Sequence, residues 1–444
     1  MPFRDLREFI ASLEDKRDLL RVKKPVNPKF EISAYIRKTS DRHGPAILFE
    51  NVKGFDIPVL GGIFATRGRA FLALECDGLT YVNKFLSALE RLVPPEPVPT
   101  GPCKEVIHRG RDVDLTTLPV PTFSEKDSAP FITLGVVISK DPETGQKNTS
   151  IYRLQVKGPN RLGIMAQQLS RQLARSEAKG KGLPVAVAIG TDPVIPLATQ
   201  WQASYGTDEM ELAGALRGEA VEVVKGETVD LEVPVTAEIV IEGTILPNIR
   251  EEEGPFGEVS GYYTPAYPKP VIEVSAITHR RNPIYQAAMT GMPTTENHIL
   301  KQIPMEATYY WELKRQHPSV TAVHFPAAGT VGFIVVIAMK QVQEFEARNV
   351  IATMLGSRRN KIIVVVDDDV DIYDMEKVLW AVATRSQPDE DVVIFPRLVG
   401  SAMDPSVKKL RVSAGLGIDA TKPLGQPFPE MVAVPGVDDA SLED

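Results

Sequence analysis

The alternation of hydrophobic and polar residues predicts an opening region that mixes helices with short strands. Apolar residues recur at helical spacing over Phe3–Leu13, and Leu79–Leu92 predicts a second amphipathic helix. Short apolar runs at Ala46–Phe49 and Val59–Gly61 predict buried strands. The proline-rich stretch Val93–Pro99 follows the second helix and is typical of a stiff linker. The pattern therefore favours a small N-terminal α/β unit.

The central region is predicted to be rich in strands. Runs enriched in β-branched residues are separated by turn sequences such as Asp141–Gly145 and Lys157–Asn160. The predicted strands are Ile132–Ile138, Ser150–Val156, Val185–Ile189, Ala220–Val224, Glu238–Glu242 and Val271–His279. One helix is predicted from Met165 to about Lys179. Many short strands with turns between them indicate a β-barrel or a β-sandwich.

The last third of the chain has a third kind of pattern. Apolar runs at Gly332–Met339 and Lys361–Val366 alternate with helical patterns at Glu344–Leu355 and Asp374–Thr384. A further strand is predicted at Asp391–Phe395. This order of strands and helices predicts a parallel α/β sheet.

Composition narrows the class of protein. The 444 residues carry 50 Lys and Arg against 58 Asp and Glu, and the net charge of −8 argues against a nucleic-acid partner. Two cysteines, Cys76 and Cys103, are too few for a disulfide framework and are typical of a reducing cytosol. The N-terminus is charged throughout, and no apolar stretch is long enough to span a bilayer. We therefore expect a cytoplasmic protein without a membrane span.

The most informative candidate for chemistry is the segment Glu251–Glu258. Proline and two glycines between Glu253 and Glu258 cannot continue a helix, so a tight turn is predicted. Such a turn can point both carboxylates into one cavity, and paired carboxylates are common in acid–base catalysis. A solvated acidic turn is the alternative.

A second candidate lies on the predicted strand at Asn148–Val156. Residues two apart share a face of a strand, so Arg153 lies beside Ile151. An arginine among apolar neighbours needs an anionic partner, which Glu253 or a substrate can supply. A surface arginine on an edge strand is the alternative. A third segment, Asp208–Gly218, predicts a helix start whose acidic residues can simply interact with the helix dipole.

Taken together, these segments resemble the UbiD-like family of decarboxylases, which use prenylated flavin mononucleotide (prenylated FMN). The matching segments occur in order along the chain, so the resemblance covers essentially all of it. They are Asp114–Pro121, Asn148–Arg153, Glu253–Glu258, Asp369–Asp374 followed by Trp380 and Ala381, and Gly417–Thr421.

The resemblance implies a set of site residues, the catalytic ones being Arg153, Glu253 and Glu258. It implies a divalent ion, usually Mn²⁺, between protein and flavin phosphate, with K⁺ nearby. The implied metal ligands are Asn148, Gln168 and Glu209. Gln168 stands where the family often has a His, so Mg²⁺ is an alternative ion. The implied cofactor-binding residues are Asn148, Ser150, Ile151, Arg153, Gln168, Ser204 and Glu209.

The implied reaction is the reversible, non-oxidative decarboxylation of an aromatic, heteroaromatic or α,β-unsaturated acid. In it Arg153 orients the substrate carboxylate, Glu258 protonates the product carbon after CO₂ leaves, and the modified flavin acts as the electron sink. His298 and Phe395 are candidates for substrate contact, and a structural role at a helix start is the alternative for His298. The sequence leaves open which acid is used and in which direction.

The resemblance also implies an α+β fold in three parts. These are an N-terminal α/β domain (1–105), a split β-barrel of the flavin-reductase type that binds the cofactor (106–295), and a C-terminal α/β oligomerisation domain with a tail (296–444). A homodimer or homohexamer is expected, together with a flavin prenyltransferase that supplies the cofactor.

Two other functions stay open: a flavin reductase on a split barrel, and a non-catalytic subunit of a decarboxylase complex. No Gly-x-Gly-x-x-Gly fingerprint for a nicotinamide cofactor is present, which argues against the reductase. Intact Arg153, Glu253 and Glu258 argue against the non-catalytic subunit.

Overall fold

The structure of the protein is a computed structural model. It shows a mixed α+β chain built around a closed β-barrel. The structure describes residues 2–166, 168–201, 207–357, 360–409 and 411–435. Ser204, expected to bind the cofactor, lies outside the described residues. Within the described part of the chain, no helix is long and apolar enough to cross a membrane.

The N-terminal elements are α1 (Leu6–Asp15), β1 (Leu19–Val22), α2 (Glu31–Ser40), β2 (Ala46–Phe49), β3 (Val59–Gly61), α3 (Arg67–Ala73) and α4 (Tyr81–Glu90). They include the two helices and two strands that the sequence predicts, together with β1, α2 and α3. Strand β1 pairs in parallel with β2, and β2 pairs antiparallel with β3. Both predicted strands and both predicted helices form, and Asp5 caps the first helix by accepting the backbone N–H of Glu8.

The central region contains most of the strands of the molecule. Its elements are β4 (Glu96–Pro97), β5 (Val106–Arg109), β6 (Phe131–Lys140), β7 (Lys147–Val156), β8 (Arg161–Ile164), α5 (Ser170–Ala178), β9 (Leu183–Ile189), α6 (Val194–Ala198), α7 (Glu209–Arg217), β10 (Glu222–Lys225), β11 (Glu232–Pro234), β12 (Ile239–Glu253), β13 (Phe256–Gly257), β14 (Tyr263–Thr264), β15 (Tyr267–His279) and β16 (Tyr285–Gln286). The last of these pairs in parallel with β3 and so joins the N-terminal sheet.

Six antiparallel strands close into the barrel. Their order is β12-β9-β6-β7-β8-β15, and β12 pairs again with β15 to complete the circle. Along β9, Val185, Val187 and Ile189 pack into one hydrophobic cluster while Ala186 and Ala188 pack into another. Both faces of this strand are therefore buried, which is why its sequence is apolar without alternation.

Two central predictions differ from the structure, and strand β8 is an addition to them. The predicted strand at Ala220–Val224 forms as β10 outside the barrel, where it pairs with β4 and β11. Strand β8 was not predicted, because its four residues are too few to show a period of two. The helix predicted from Met165 begins only at Ser170, since the residues before it leave β8 through a turn.

The C-terminal elements form a five-stranded sheet with helices. They are α8 (Glu296–Gln316), β17 (Val320–His324), β18 (Ile334–Met339), α9 (Glu346–Ser357), β19 (Ile362–Asp367), α10 (Met375–Arg385), β20 (Val392–Val399) and β21 (Val412–Ala420). The strand order is β17-β18-β19-β21-β20.

The prediction of a parallel C-terminal sheet is confirmed for its central strands and is wrong for β20, while the unpredicted edge strand β17 is also antiparallel to its neighbour. Strands β18, β19 and β21 are parallel, as predicted for a β-α-β unit. Strand β20 is antiparallel to β21 and β17 is antiparallel to β18. The order of elements along the chain does not reveal that β21 inserts between β19 and β20.

Candidate active site

Arg153 and two glutamates form a compact ion cluster beside the barrel. Arg153 Nε lies 2.8 Å from Glu253 Oε1, and Nη2 lies 2.7 Å from Glu253 Oε2. Arg153 Nη1 also donates to Glu258 Oε1. The side chain of Glu253 is fully buried, and those of Arg153 and Glu258 are 7% and 13% exposed. The turn predicted between the two glutamates therefore brings both to one guanidinium.

Strand geometry explains the position of Arg153. Tyr152 and Leu154 on β7 pack into the hydrophobic cluster that holds Ile132 and Val185. Since side chains alternate along a strand, Arg153 points to the other face. There its guanidinium carbon lies 4.9 Å from the centroid of the Phe256 ring, a cation–π contact. The bidentate ion pair and the aromatic ring together fix the orientation of the guanidinium.

The turn that carries the glutamates is held by polar contacts from the loop before β6. Asp127 Oδ1 accepts the backbone N–H of Gly257 at 2.9 Å, and its Oδ2 accepts that of Ser124 at 2.8 Å. The backbone N–H of Ser128 donates to the carbonyl of Pro255 at 3.1 Å. Gly254 has a φ of +98°, in the region that favours glycine. These contacts fix the separation between the ends of the turn.

A cleft of about 730 Å³ opens in front of the cluster. Arg153, Phe256 and Glu258 line it from the barrel side. Residues of α8 and the loop at 330–333 line it from the C-terminal side. Its size is that of pockets that enclose small organic ligands.

Oxygen-bearing side chains lie at another part of the same cleft. Asn148, Gln168 and Glu209 all line it, as do Ser150 and Ile151. Glu209 is half-buried, and its Oε2 accepts the backbone N–H of Thr149 at 2.9 Å. Asp208 caps α7 through the backbone N–H of Met210, so Glu209 is not the capping residue. The three expected metal ligands thus all belong to the lining of the cleft.

The surroundings of the Glu209 carboxyl group are compatible with a bound cation. Burial raises the pKa of Glu209 to about 7, because desolvation disfavours its charged form. Among the described residues it has no ion-pair partner. Asn148 Oδ1 accepts from the Tyr152 hydroxyl at 3.3 Å, and Gln168 is exposed. Carboxylate and amide oxygens are the donors that hard divalent cations prefer.

The two residues expected to contact the substrate lie elsewhere. His298 is fully buried, and its Nδ1 lies 2.8 Å from Thr295 Oγ1 while its Nε2 lies 3.0 Å from the carbonyl oxygen of Val259. Burial lowers the pKa of His298 to about 4. These contacts agree with the alternative interpretation, in which His298 has a structural role at the start of α8. Phe395 lies on edge strand β20, is 36% exposed, and is not among the described residues that line the cleft.

Sequence reasoning missed many of the polar residues that line the cleft, among them Thr290, Asn297 and Lys301. Asn297 and Lys301 are four residues apart on α8, so they share a face of the helix. That spacing is visible in the sequence. However, only the fold shows that this face of the helix turns toward Glu258.

Comparisons with known proteins define the class of the molecule. Three family models of 3-octaprenyl-4-hydroxybenzoate carboxy-lyase match the chain. The N-terminal domain matches residues 10–89, the Rift-related domain matches 96–293 and the C-terminal domain matches 298–420. These matches identify the chain as a carboxy-lyase of the UbiD class, which is a class of decarboxylases.

Similar proteins and solved structures support the assignment to that class. UbiD-class HmfF from Pelotomaculum thermopropionicum, solved in complex with FMN, is 42% identical over 99% of both chains with a TM-score of 0.94. Vanillic acid decarboxylase from Sedimentibacter hydroxybenzoicus is 33% identical over 99% of this chain and 97% of its own, with a TM-score of 0.89. An uncharacterised protein of Archaeoglobus fulgidus is 38% identical over 95% of this chain and 92% of its own. The chain belongs to the UbiD family.

Proposed function

We propose that the protein catalyses the reversible, non-oxidative decarboxylation of an aromatic, heteroaromatic or α,β-unsaturated carboxylic acid with prenylated FMN. The observation that carries the proposal is the buried cluster in which Arg153 binds both Glu253 and Glu258 beside a ligand-sized cleft. HmfF has been solved with FMN and, in an evolved dimeric form, with prenylated FMN. Other relatives decarboxylate vanillic acid and 3,4-dihydroxybenzoic acid.

Arg153 is proposed to position the substrate carboxylate. Its Nε and Nη2 are held by Glu253, which leaves the Nη1 edge beside Glu258 to face the cleft. A carboxylate that enters there competes with Glu258 for this edge. Glu253 keeps the guanidinium from rotating away, so the substrate is bound in one orientation.

Glu258 is proposed to deliver the proton to the product carbon. It is the more exposed of the two glutamates and lines the cleft, whereas Glu253 is fully buried behind Arg153. A carboxyl group at this place can act as general acid.

The residues of the cleft fit a phosphorylated flavin held through a cation. Asn148, Gln168 and Glu209 are proposed to hold Mn²⁺ or Mg²⁺, with Ser150 and Ile151 beside them. When bound, the prenylated flavin supplies the electron sink for the carbanion. A K⁺ site and the contact from Ser204 stay predictions, since that residue lies outside the described part of the chain.

Co-expression with a flavin prenyltransferase tests the proposal. We expect a coloured protein with a modified-flavin absorbance spectrum that releases CO₂ from at least one acid of an aromatic, heteroaromatic and acrylic panel. Oxidation of NADH with ordinary FMN would favour the flavin reductase. A colourless protein that binds no flavin would favour the non-catalytic subunit.

We also propose a homo-oligomer, a dimer or hexamer, assembled through the C-terminal region in the cytoplasm. Large apolar side chains are exposed there: Leu379 is 62% exposed, Ile394 70% and Val399 62%. Exposed apolar groups of this size are typical of protein interfaces. Light scattering after size exclusion tests this, and a monomeric mass would contradict it.

A further inference from the structure

Two histidines lie close together at the edge of the barrel sheet, and neither is among the described residues that line the cleft. His108 lies on β5 and His279 on β15, two antiparallel strands on which Ile277 is opposite His108. Since residues two apart share a face of a strand, His279 lies on the same face of the sheet as His108. The two histidines are 171 positions apart in the chain, so local sequence pattern does not reveal the pair.

The spacing of the two imidazole rings is that of neighbouring metal ligands. Nε2 of His108 lies 3.3 Å from Nε2 of His279, and the ring centroids are 5.4 Å apart. Two nitrogens at about 2.0–2.1 Å from a tetrahedral ion lie about 3.3 Å from each other, whereas neighbouring ligands of a square-planar ion lie about 2.9 Å apart. A tetrahedral Zn²⁺ ion can therefore bind both Nε2 atoms with little change in their separation.

A backbone carbonyl group fixes which nitrogen of His279 carries the proton. Its Nδ1 lies 2.8 Å from the carbonyl oxygen of Arg280, which can only accept a hydrogen bond. Nδ1 therefore carries the proton, and Nε2 presents its lone pair to His108. Histidines that bind a metal almost always have their other ring nitrogen bonded in this way. Without a metal, Nε2 of His108 donates to that lone pair; with a metal bound, the same proton resides on Nδ1 of His108.

The arginines that follow the two histidines in the chain are already paired with carboxylates. Arg280 Nη1 lies 2.9 Å from Asp5 Oδ2 and 3.4 Å from Glu238 Oε1. Arg109 forms an ion pair with Glu227. These carboxylates offset the positive charge that would otherwise repel a metal ion at the histidines. Both histidines are half-buried, so ions from the solvent can reach them.

The chemistry of the pair separates it from the oxygen ligands of the cleft. Imidazole nitrogens suit Zn²⁺, Cu²⁺ and Ni²⁺, whereas Mn²⁺ and Mg²⁺ prefer the oxygen donors that Asn148, Gln168 and Glu209 offer. Within the described part of the chain, no third histidine, cysteine or carboxylate joins the pair. A four-coordinate ion bound to the two histidines therefore keeps two positions for water.

We propose that His108 and His279 form a Zn²⁺ site that links β5 to β15. Strand β5 stands at the end of the strand order of the seven-stranded sheet and is the first strand of that sheet along the chain. An ion bound by both strands fastens this edge strand to its neighbour. Because such an ion binds the folded protein, it stabilises the fold as its free concentration rises. The site acts on stability and does not depend on the proposed decarboxylation.

Calorimetric titration of the FMN-loaded protein with Zn²⁺, in the presence of saturating Mn²⁺, tests the site. Mn²⁺ competes for the oxygen donors of the cleft but hardly for imidazole nitrogens. His108→Gln and His279→Gln should each weaken Zn²⁺ binding at least tenfold, since loss of a group that merely supports a ligand already costs about 10- to 100-fold. His43→Gln, at an exposed position, is the control and should bind Zn²⁺ as the wild type does. Circular dichroism without Zn²⁺ checks that all three variants fold.

Two further measurements locate the ion and its effect. Anomalous scattering from crystals at the zinc absorption edge should show a peak about 2.0–2.1 Å from both Nε2 atoms. Zn²⁺ should raise the Tm of the wild type and of His43→Gln, but not that of His108→Gln or His279→Gln. Equal Zn²⁺ affinity in the wild type and the two variants of the pair, or a peak bonded to only one of the two histidines, would overturn the proposal.

Discussion

Removal of Arg153 should destabilise the protein far more than removal of a surface arginine. The side chain of Arg153 is 7% exposed and that of Glu253 is fully buried, so Arg153→Leu leaves a carboxylate in the interior without its counter-charge. Loss of one partner of a buried pair costs about 3–5 kcal/mol. Arg161 is the matched control, because it binds Glu251 at 2.7 Å but the two side chains are 42% and 31% exposed. For such an exposed pair a loss of about 0.2–1 kcal/mol is expected.

Equilibrium unfolding of the two variants in guanidinium chloride measures the difference in their stability. The midpoint of Arg153→Leu should fall clearly below that of the wild type, and that of Arg161→Leu should hardly move. The double variant Arg153→Leu/Glu253→Leu should recover part of the loss, because neither charge then lies buried alone. Equal midpoints for Arg153→Leu and Arg161→Leu would refute the reasoning that Arg153 neutralises a buried carboxylate.

Three further changes test the surroundings of the cluster. Gly254→Ala places a side chain at a φ of +98° and 3.2 Å from the carbonyl oxygen of Pro265, so we expect at least tenfold slower decarboxylation with a smaller change in KM. Asp127→Ala removes the acceptor of the Gly257 N–H, and kcat should fall while the cofactor spectrum stays unchanged. Burial raises the pKa of Glu296 to about 7, so its contribution to stability is full below about pH 4 and is lost as the pH rises through 7. Relative to Glu296→Gln, the wild type should therefore lose about 3 kcal/mol over that window, seen as a fall of its melting temperature relative to that of the variant as the pH rises. A difference in melting temperature that stays constant with pH would contradict it.

Much of the fold follows from local pattern. Helix α7 starts at Glu209 after an Asp208 cap and ends at Arg217, where Gly218 in the left-handed conformation caps it. Local sequence pattern does not predict the direction in which β20 pairs, because its antiparallel partner β21 lies more than a dozen residues away. Pairing between distant strands depends on the sheet as a whole.

The active site, like the fold, is only partly predictable from local sequence. The spacing of Glu253 and Glu258 around a Gly-Pro-Phe-Gly turn predicts that both can face one cavity, and in the structure Arg153 binds both. The substrate contact expected from His298 depends instead on which face of α8 turns inward. In the structure Lys301 faces the cleft, while His298 bonds to Thr295 and Val259.

The central claim is that the Arg153–Glu253–Glu258 cluster performs a reversible decarboxylation with Glu258 as the proton donor. Incorporation of solvent deuterium at the product carbon that bore the carboxyl group before CO₂ left, followed by NMR with the cofactor-loaded protein, tests it most directly. The wild type should incorporate deuterium, and Glu258→Gln should reduce the rate at least 100-fold, as expected for loss of a general acid. Deuterium incorporation by Glu258→Gln at the rate of the wild type would contradict the account.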